Sequence, residues 1–398
     1  MSSYDYLIVG AGVAAASAVK SIRDADSDAT IAVFGEEKDA PMYRPDLSKA
    51  LWLDSDKSLQ DSALLPEAEG LELHTETEVT AIRPDDHEVE LADGASVGYG
   101  KLLLATGAQP RTLGVEAGER VIFFRSAADY RQLRSLTEGE AHVAVVGGGY
   151  IGSEIAAALS QNDVKVTMVL PEDLVQEAMF PRGLAERVTT ALADHGVEIV
   201  HGKLDEITTT DDGVRVSLEG GDEITADAAV VGVGVEPRTK LAEDAGLEVE
   251  NGIVVDESLR TSAKDVYAAG DVASYPDVRL GRRRVEHVDN AEKMGSAAGR
   301  SMAGEKTTYD TTPMFFSDLY DDGYEAIGVL SSKLETVEDF ADDEYGKGVV
   351  YYVDEGRVRG VLLWNVWDSV DKARELIEQT GEEPVSDSSS LKGRIPLG

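Results

Sequence analysis

Gly10, Gly12 and Ala15 in "YDYLIVGAGVAAASAVKSI" stand where a short apolar strand turns into an Ala-rich helix. That spacing suits phosphate binding. Gly10 allows the tight turn, Gly12 lets the backbone approach a pyrophosphate, and Ala15 keeps helix and strand close. The helix N-terminus then faces the negative charge. Glu36 or Glu37, closing the next strand "ATIAVFGEE", can accept hydrogen bonds from ribose hydroxyls. The pattern returns in "HVAVVGGGYIGSEIAAALSQNDVKVTMVLPED", where Gly147, Gly149 and Gly152 take the glycine roles and the following strand ends near Glu172. One such fingerprint is a weak signal, because Gly-rich turns are common. Two copies, each in strand–turn–helix–strand context, predict two dinucleotide sites. The first Arg after the second acidic strand end is Arg182. An Arg close behind would suit a 2′-phosphate, so NAD is favoured over NADP. Leu170 and Pro171 hold the usual acid positions, with Glu172 slightly late.

The elements that must position these turns follow from the rest of the chain. Its 398 residues suffice for two or three domains. "KLLLATGAQPR" is a strand running into a turn at Ala105, Thr106 and Gly107, and "DAAVVGVGVEPRT" repeats the form around Gly234. Both read as crossings between domains. "TSAKDVYAAGDVA" sets Asp271 after a strand and a glycine, at an expected helix start. Its carboxylate there would either reach a ribityl hydroxyl, held by helix N–H groups, or act as a simple N-cap.

Composition excludes whole classes. The chain has no cysteine, which removes disulfides, thiolate metal sites and redox-active thiols. Its six histidines show no metal-ligand spacing, so no metal site is expected. The 76 acidic residues against 37 basic ones give a net charge of −39, which repels nucleic-acid backbones. Lysine is scarce beside arginine. An acidic, lysine-poor surface suggests a halophile's protein, its self-repulsion relaxed by salt. No signal peptide and no apolar run of membrane-spanning length is read, so a cytoplasmic protein is expected.

The order of first cradle, "LLLATGAQPR", second cradle, "VVGVGVEPRT" and "DVYAAGDVA" resembles the two-dinucleotide-binding flavoproteins, the pyridine-nucleotide-dependent FAD oxidoreductases. In that family's disulfide-reductase branch a Cys-bearing helix follows the first βαβ unit. Here "APMYRPDLSKALW" stands instead, which is similar to the ferredoxin/rubredoxin reductase branch and most of all to apoptosis-inducing-factor-like proteins. "RVEHVDNAEKMGSAAGRSMAG", "PMFFSDLYDDGYEAIG" and "GVVYYVDEGRVRGVLLWNVWDSVDKARELI" carry the likeness through the C-terminal third. That group's long C-terminal insertion, targeting segment and basic surface have no counterpart, so a DNA-associated role is not carried over. The resemblance implies an α/β fold with two Rossmann-like domains. FAD would bind residues 1–112 and 238–308, with an NAD domain, 113–237, inserted between them. Residues 309–398 would form a C-terminal α+β domain with an antiparallel sheet.

The resemblance also implies roles. FAD would contact Gly10, Gly12, Ala15, Glu36, Glu37, Ala105, Thr106, Gly107 and Asp271. NADH would contact Gly147, Gly149, Tyr150, Ile151, Gly152, Glu154, Glu172 and Gly234, with NADPH second. Lys49 would lie near the flavin ring and pair with Glu154; otherwise it is a surface Lys on a helix. Arg44 would bind an FAD phosphate or ribityl oxygen, or be solvated. Tyr150 would gate the nicotinamide site, or pack a core. Glu286 and His287 would open a helix pointing at the flavin, His287 holding a titrating proton or serving structure alone. Phe316 stands where close relatives have Trp, keeping a stacking face without the indole N–H. Arg282, Arg283 and Arg284 are the one dense basic cluster. An acidic electron carrier would dock there, or they balance nearby carboxylates in a turn. The expected activity is hydride transfer from NADH to FAD, then electron transfer to ferredoxin, rubredoxin, quinone or dioxygen. The rival is a redox-sensing interaction protein with slow NADH turnover. Monomer and homodimer both fit.

Overall fold

The structure, a computed structural model, describes residues 2–65, 70–342 and 344–398. The chain divides into two compact units, each assembled from separated stretches. The first comprises Met1–Arg44, Ser58–Gln109 and Glu236–Pro313; the second comprises Pro45–Lys57, Pro110–Val235 and Met314–Gly398.

In the first unit, Leu71–His74, Ile31–Phe34, Ser3–Val9 and Ser96–Leu104 lie side by side and parallel, with Val266–Ala268 beside Ser96–Leu104. Glu88–Leu91 and Val79–Arg83 extend the sheet antiparallel. Leu7, Ile8, Ile31, Val33, Leu102 and Leu103 are fully buried. Strands covered on both faces need such continuous apolar runs, rather than an alternating pattern. The helices Val13–Ala25 and Val288–Met302 pack together. A Cβ on Gly295 would fall 2.2 Å from the Ala14 carbonyl oxygen, and one on Gly299 2.5 Å from that of Ala18. Backbone meets backbone there, so any side chain would prise the helices apart.

The expected helix start at Asp271 is absent. Gly270, at φ +81°, turns the chain straight into the strand Ala273–Asp277. Pro276 explains this, because the residue before a proline is driven out of the helical region.

The second unit holds a parallel sheet of Glu198–His201, Lys165–Leu170, His142–Val146, Ala228–Val231 and Val121–Ile122. A three-stranded antiparallel sheet, Leu204–Thr209, Val214–Leu218 and Glu223–Ala226, adjoins it. The C-terminal residues form a five-stranded antiparallel sheet in the order Met314–Leu319, Asp322–Gly328, Arg357–Trp364, Gly348–Asp354 and Glu335–Phe340. The helix Val370–Glu382 packs on it. "PDLSKALW" belongs to this unit. It makes a 3-10 turn, Arg44–Ser48, and a helical turn, Ala50–Leu53. Trp52 is buried and donates to the Leu47 carbonyl at 2.7 Å. Tyr130 and Asn162 donate to the carbonyls of Leu51 and Trp52 at 2.9 and 3.0 Å.

Candidate functional site

In the first unit Gly10 sits at φ +103°, and a Cβ on it would lie 2.2 Å from the Ala105 carbonyl oxygen. The turn therefore admits glycine alone. Gly12 differs. It caps the helix Val13–Ala25 in an extended conformation with no side-chain cap bond, and the first turn carries no acidic residue. A Cβ on Gly12 would meet nothing within 4 Å. Helix-start N–H groups facing open space, with no carboxylate in competition, fit a diphosphate. Ala15 is fully buried. Glu36 pairs with Arg238, and Glu37 with Arg44 at 2.6 Å. That contact engages one guanidinium nitrogen of Arg44, Nη2. Thr106 donates to the Arg238 carbonyl at 2.8 Å, and Gly107, at φ +69°, accepts the Arg238 N–H at 3.0 Å.

The second unit repeats the arrangement. Gly147 sits at φ +109°, and a Cβ there would fall 2.4 Å from the Gly232 carbonyl oxygen. Gly152 allows the closest approach, its hypothetical Cβ lying 1.9 Å from the Gly147 carbonyl oxygen. Gly149 caps the helix Tyr150–Ser160 without a side-chain bond, and a Cβ on it would meet nothing within 4 Å. Gly234, at φ +94°, also faces open space. Ile151 is an exposed apolar residue in the first turn. The Tyr150 ring meets Phe315 edge-on at 5.6 Å, and burial pushes its phenol pKa up. Glu172 is exposed at the strand end, its carbonyl 2.9 Å from His201 Nδ1.

The same unit buries an ion pair. Lys49 Nζ contacts Glu154 Oε1, with side chains 16% and 7% exposed. The Glu154 carboxylate also accepts from Ser48 Oγ at 2.6 Å and from Ser317 Oγ. A buried carboxylate is tolerable when its lone pairs are filled in this way. Lys49 Nζ lies 5.7 Å from the centroid of the Phe316 ring, within cation–π reach. Ser48 and Ser317 were not among the expected site residues. Their adjacency to Lys49 and Phe316 was the available signal, and serine is too common for it to stand out.

His287 caps the helix Val288–Met302 in the first unit. Desolvation pushes its pKa from 6.5 down to about 4; Asp271 raises it and Arg283 lowers it. The ring is therefore neutral at pH 7. The folded pKa is depressed, so its stabilising contribution is complete above 6.5 and is lost as pH falls toward 4. His287→Gln lacks this dependence. Between pH 7 and pH 4.5 the wild type should lose about 2 kcal/mol relative to the variant, followed by denaturant unfolding at fixed salt. A difference that stays constant across that range would rule the neutral buried ring out.

Arg282, Arg283 and Arg284 turn toward their own unit. Arg282 donates to the carbonyls of Val255 and Ser274 at 3.1 and 2.6 Å. Arg283 approaches Asp277 at 3.9 Å. Arg284 bonds the Asp271 carbonyl at 3.1 Å and pairs with Glu286 at 2.6 Å.

Comparison with known proteins places this geometry. Residues 4–295 match the family described as pyridine nucleotide-disulphide oxidoreductase. Residues 298–344 and 338–379 match the C-terminal region described as apoptosis-inducing factor, mitochondrion-associated. Apoptosis-inducing factor 1, mitochondrial, of Dictyostelium discoideum is 34% identical, over 95% of this chain and 79% of its own. The ferredoxin–NAD(+) reductase component of the anthranilate 1,2-dioxygenase system of Burkholderia cepacia is 34% identical over 95% of both chains. The covalent putidaredoxin reductase–putidaredoxin complex superposes with a TM-score of 0.88 at 26% identity, covering 100% of this chain and 98% of that one.

Proposed function

The chain belongs to the pyridine nucleotide-disulphide oxidoreductase family, and from that premise we propose that it is a reductase of a small iron–sulfur carrier. It is an FAD-dependent NAD(P)H oxidoreductase, with NADH favoured, that passes electrons to a separate acceptor. When bound, FAD supplies the exchange between hydride uptake and electron release. Among the candidate acceptors, the Burkholderia cepacia ferredoxin reductase component, matched end to end, supports a ferredoxin.

The observation that carries the proposal is the buried Lys49–Glu154 pair in a chain without cysteine. In the disulfide-reductase branch that region supplies a thiol relay; here it supplies a fixed cation. Lys49 supplies the positive charge that the family resemblance assigns to the flavin ring, and Glu154, held by Ser48 and Ser317, is its counter-ion. Gly12 and the helix behind it hold the FAD diphosphate, with Glu36 or Glu37 at its ribose. Gly149, Ile151 and Gly152 form the NADH turn, with Glu172 toward the ribose and Gly234 alongside, and Tyr150 gates it. Ala105, Thr106, Gly107, Asp271 and Glu286 line the flavin side. His287, buried and neutral at pH 7, takes the structural role at the start of the helix that the family resemblance points at the ring. The division into 1–112 with 238–308, 113–237 and 309–398 remains our reading of the domains.

We place the protein in the cytoplasm of a high-salt organism, on its charge of −39. Among the described residues no helix is long and apolar enough to cross a membrane. The acidic carrier would approach near Arg282, the most exposed of the three arginines. A second reading, a redox sensor with slow NADH turnover, draws on the match of the C-terminal residues to apoptosis-inducing factor.

Anaerobic stopped-flow reduction tests the proposal, run in 2 M KCl and in dilute buffer. The flavin band should bleach within about a second with NADH and more slowly with NADPH, at a rate typical of enzyme turnover. Added ferredoxin should restore it rapidly, and dilute buffer should release the flavin. Bleaching over minutes, with no reoxidation by a carrier, would transfer the assignment to the sensor. Equal behaviour in both buffers would remove the high-salt reading.

A further inference from the structure

One buried polar side chain beside the nucleotide turn has no part in the account so far. Gln176 lies in the loop after the strand Lys165–Leu170 and is 3% exposed. Its backbone is left-handed, at φ +58°, which is costly for a residue with a Cβ. Its amide oxygen, Oε1, has no hydrogen-bond partner, a second cost. A loop residue that carries both penalties is held there by its surroundings.

Those surroundings join two structures. On one side Gln176 supports the second cradle. Its N–H donates to the Gly148 carbonyl at 2.9 Å, and its Nε2 donates to Ser153 Oγ at 2.7 Å. Ser153 Oγ in turn donates to the carbonyls of Gly149 and Tyr150 at 2.9 and 3.0 Å. Ser153 thus must accept from the Gln176 amide nitrogen, which fixes the orientation of the amide. On the other side the loop is anchored to the C-terminal sheet. The Gln176 carbonyl accepts from Met179 and Phe180 N–H at 2.9 and 3.0 Å. Ala178 and Met179 carbonyls accept from Ser332 N–H and Tyr352 OH at 3.0 and 2.8 Å. The Phe180 ring packs edge-on against Tyr324 and Trp364 at 5.5 and 5.9 Å.

We infer that Gln176 is a positioning residue for the nicotinamide nucleotide: it braces the turn Gly147–Gly152 through Gly148 and Ser153 against the C-terminal sheet, and so sets NADH affinity without touching the nucleotide. Helix-start N–H groups bind a diphosphate only when they are held at the correct height, and small misplacements carry large penalties. This rests on the second cradle being the NADH site.

The test uses FAD-loaded protein. Gln176→Leu keeps the volume, removes the unpartnered oxygen and breaks the link to Ser153. NAD+ titrated into it should bind about tenfold more weakly, a 1.4 kcal/mol change. KM for NADH should rise in step, while kcat with ferricyanide shifts less than about twofold and Tm holds or rises. Ser153→Ala breaks the same link from the other end and should weaken NAD+ alike. The double variant should be no worse than either single one, the mark of one shared contact. Unchanged NAD+ affinity in both single variants would overturn the inference, as would a loss of affinity that tracks a falling Tm. Wild-type protein that holds FAD yet binds no NAD+ would overturn the reading of the cradle, and the inference with it.

Discussion

Lys49→Met should destabilise the protein by about 3–5 kcal/mol, and Lys49→Met/Glu154→Leu should recover most of that loss. The asymmetry comes from what each change leaves behind. With Lys49 gone, Glu154 stays buried with only the Ser48 and Ser317 hydroxyls to answer its charge. An ionised carboxylate without a cation in that position pays its desolvation almost in full. The double variant buries an apolar pair of similar volume and leaves the Ser48 and Ser317 hydroxyls to find new acceptors, a smaller cost. Glu154→Gln should fall between, because its amide oxygen still accepts from one serine while its Nε2 donates to the other, and Lys49, the more exposed partner, can turn toward water. Urea unfolding of the four proteins in high salt measures this. Equal stability of the single and double variants would mean that the pair is not the buried contact it looks to be. The same set separates folding from chemistry. The double variant, though folded and yellow, should bleach with NADH at least about tenfold more slowly, a barrier change near 1.4 kcal/mol. Full speed in the double variant would reduce the Lys49–Glu154 pair to a structural feature.

The glycine pairs give the second large effect, and it is a contrast. Gly12→Ala should leave a stable protein that emerges colourless, with FAD affinity lowered about a hundredfold or more, about 2.7 kcal/mol. Gly149→Ala should stay yellow and stable yet lose NADH to a similar degree. Both residues are extended rather than left-handed, and in both the added Cβ enters space that no protein atom occupies. The protein has no reason to object; a diphosphate resting on that backbone does. Gly10→Ala and Gly152→Ala should instead damage the fold itself. Their Cβ atoms would overlap the carbonyl oxygens of Ala105 and Gly147, and Gly10 is left-handed besides. Flavin absorbance per mole of protein after desalting, with Tm on the same samples, reads all four. A Gly12→Ala protein as yellow as the wild type would exclude the FAD assignment of the first cradle.

What could be read from the sequence follows the length of chain that each feature needs. A phosphate cradle is local, so both copies stood out, with Ala15 buried as expected. The Lys49–Glu154 contact spans 105 positions and came from resemblance, which the structure matches with a direct ion pair. Ser317 meets Glu154 across 163 positions, and nothing in a serine within "FFSDL" announces that. Asp271 was misplaced because Gly–Asp looks like a helix cap, whereas Pro276 five residues on decides for a strand. "RRR" left two readings open, a docking patch or a turn balanced by nearby carboxylates, and the contacts of Arg283 with Asp277 and of Arg284 with Glu286 match the second. Gln176 carried no signal, since its significance lies in a left-handed backbone and a missing partner.

The second unit is built from three stretches far apart in the chain, with Lys49, Glu154 and Ser317 contributed one from each. During synthesis this imposes an order. The ribosome finishes residues 45–57 early and 110–235 next, but the partner strand with Ser317 emerges only about 80 residues after that. Until then the nascent Glu154 lacks one of its three donors, and the aromatic surface of Phe180 has neither Tyr324 nor Trp364 to cover it. The first unit waits likewise for Gly295 and Gly299 to close on the helix Val13–Ala25. Each unit therefore completes only after residues that follow the other unit's first stretches, and a fragment cut at either crossing would be a poor stand-in for the domain it was meant to isolate.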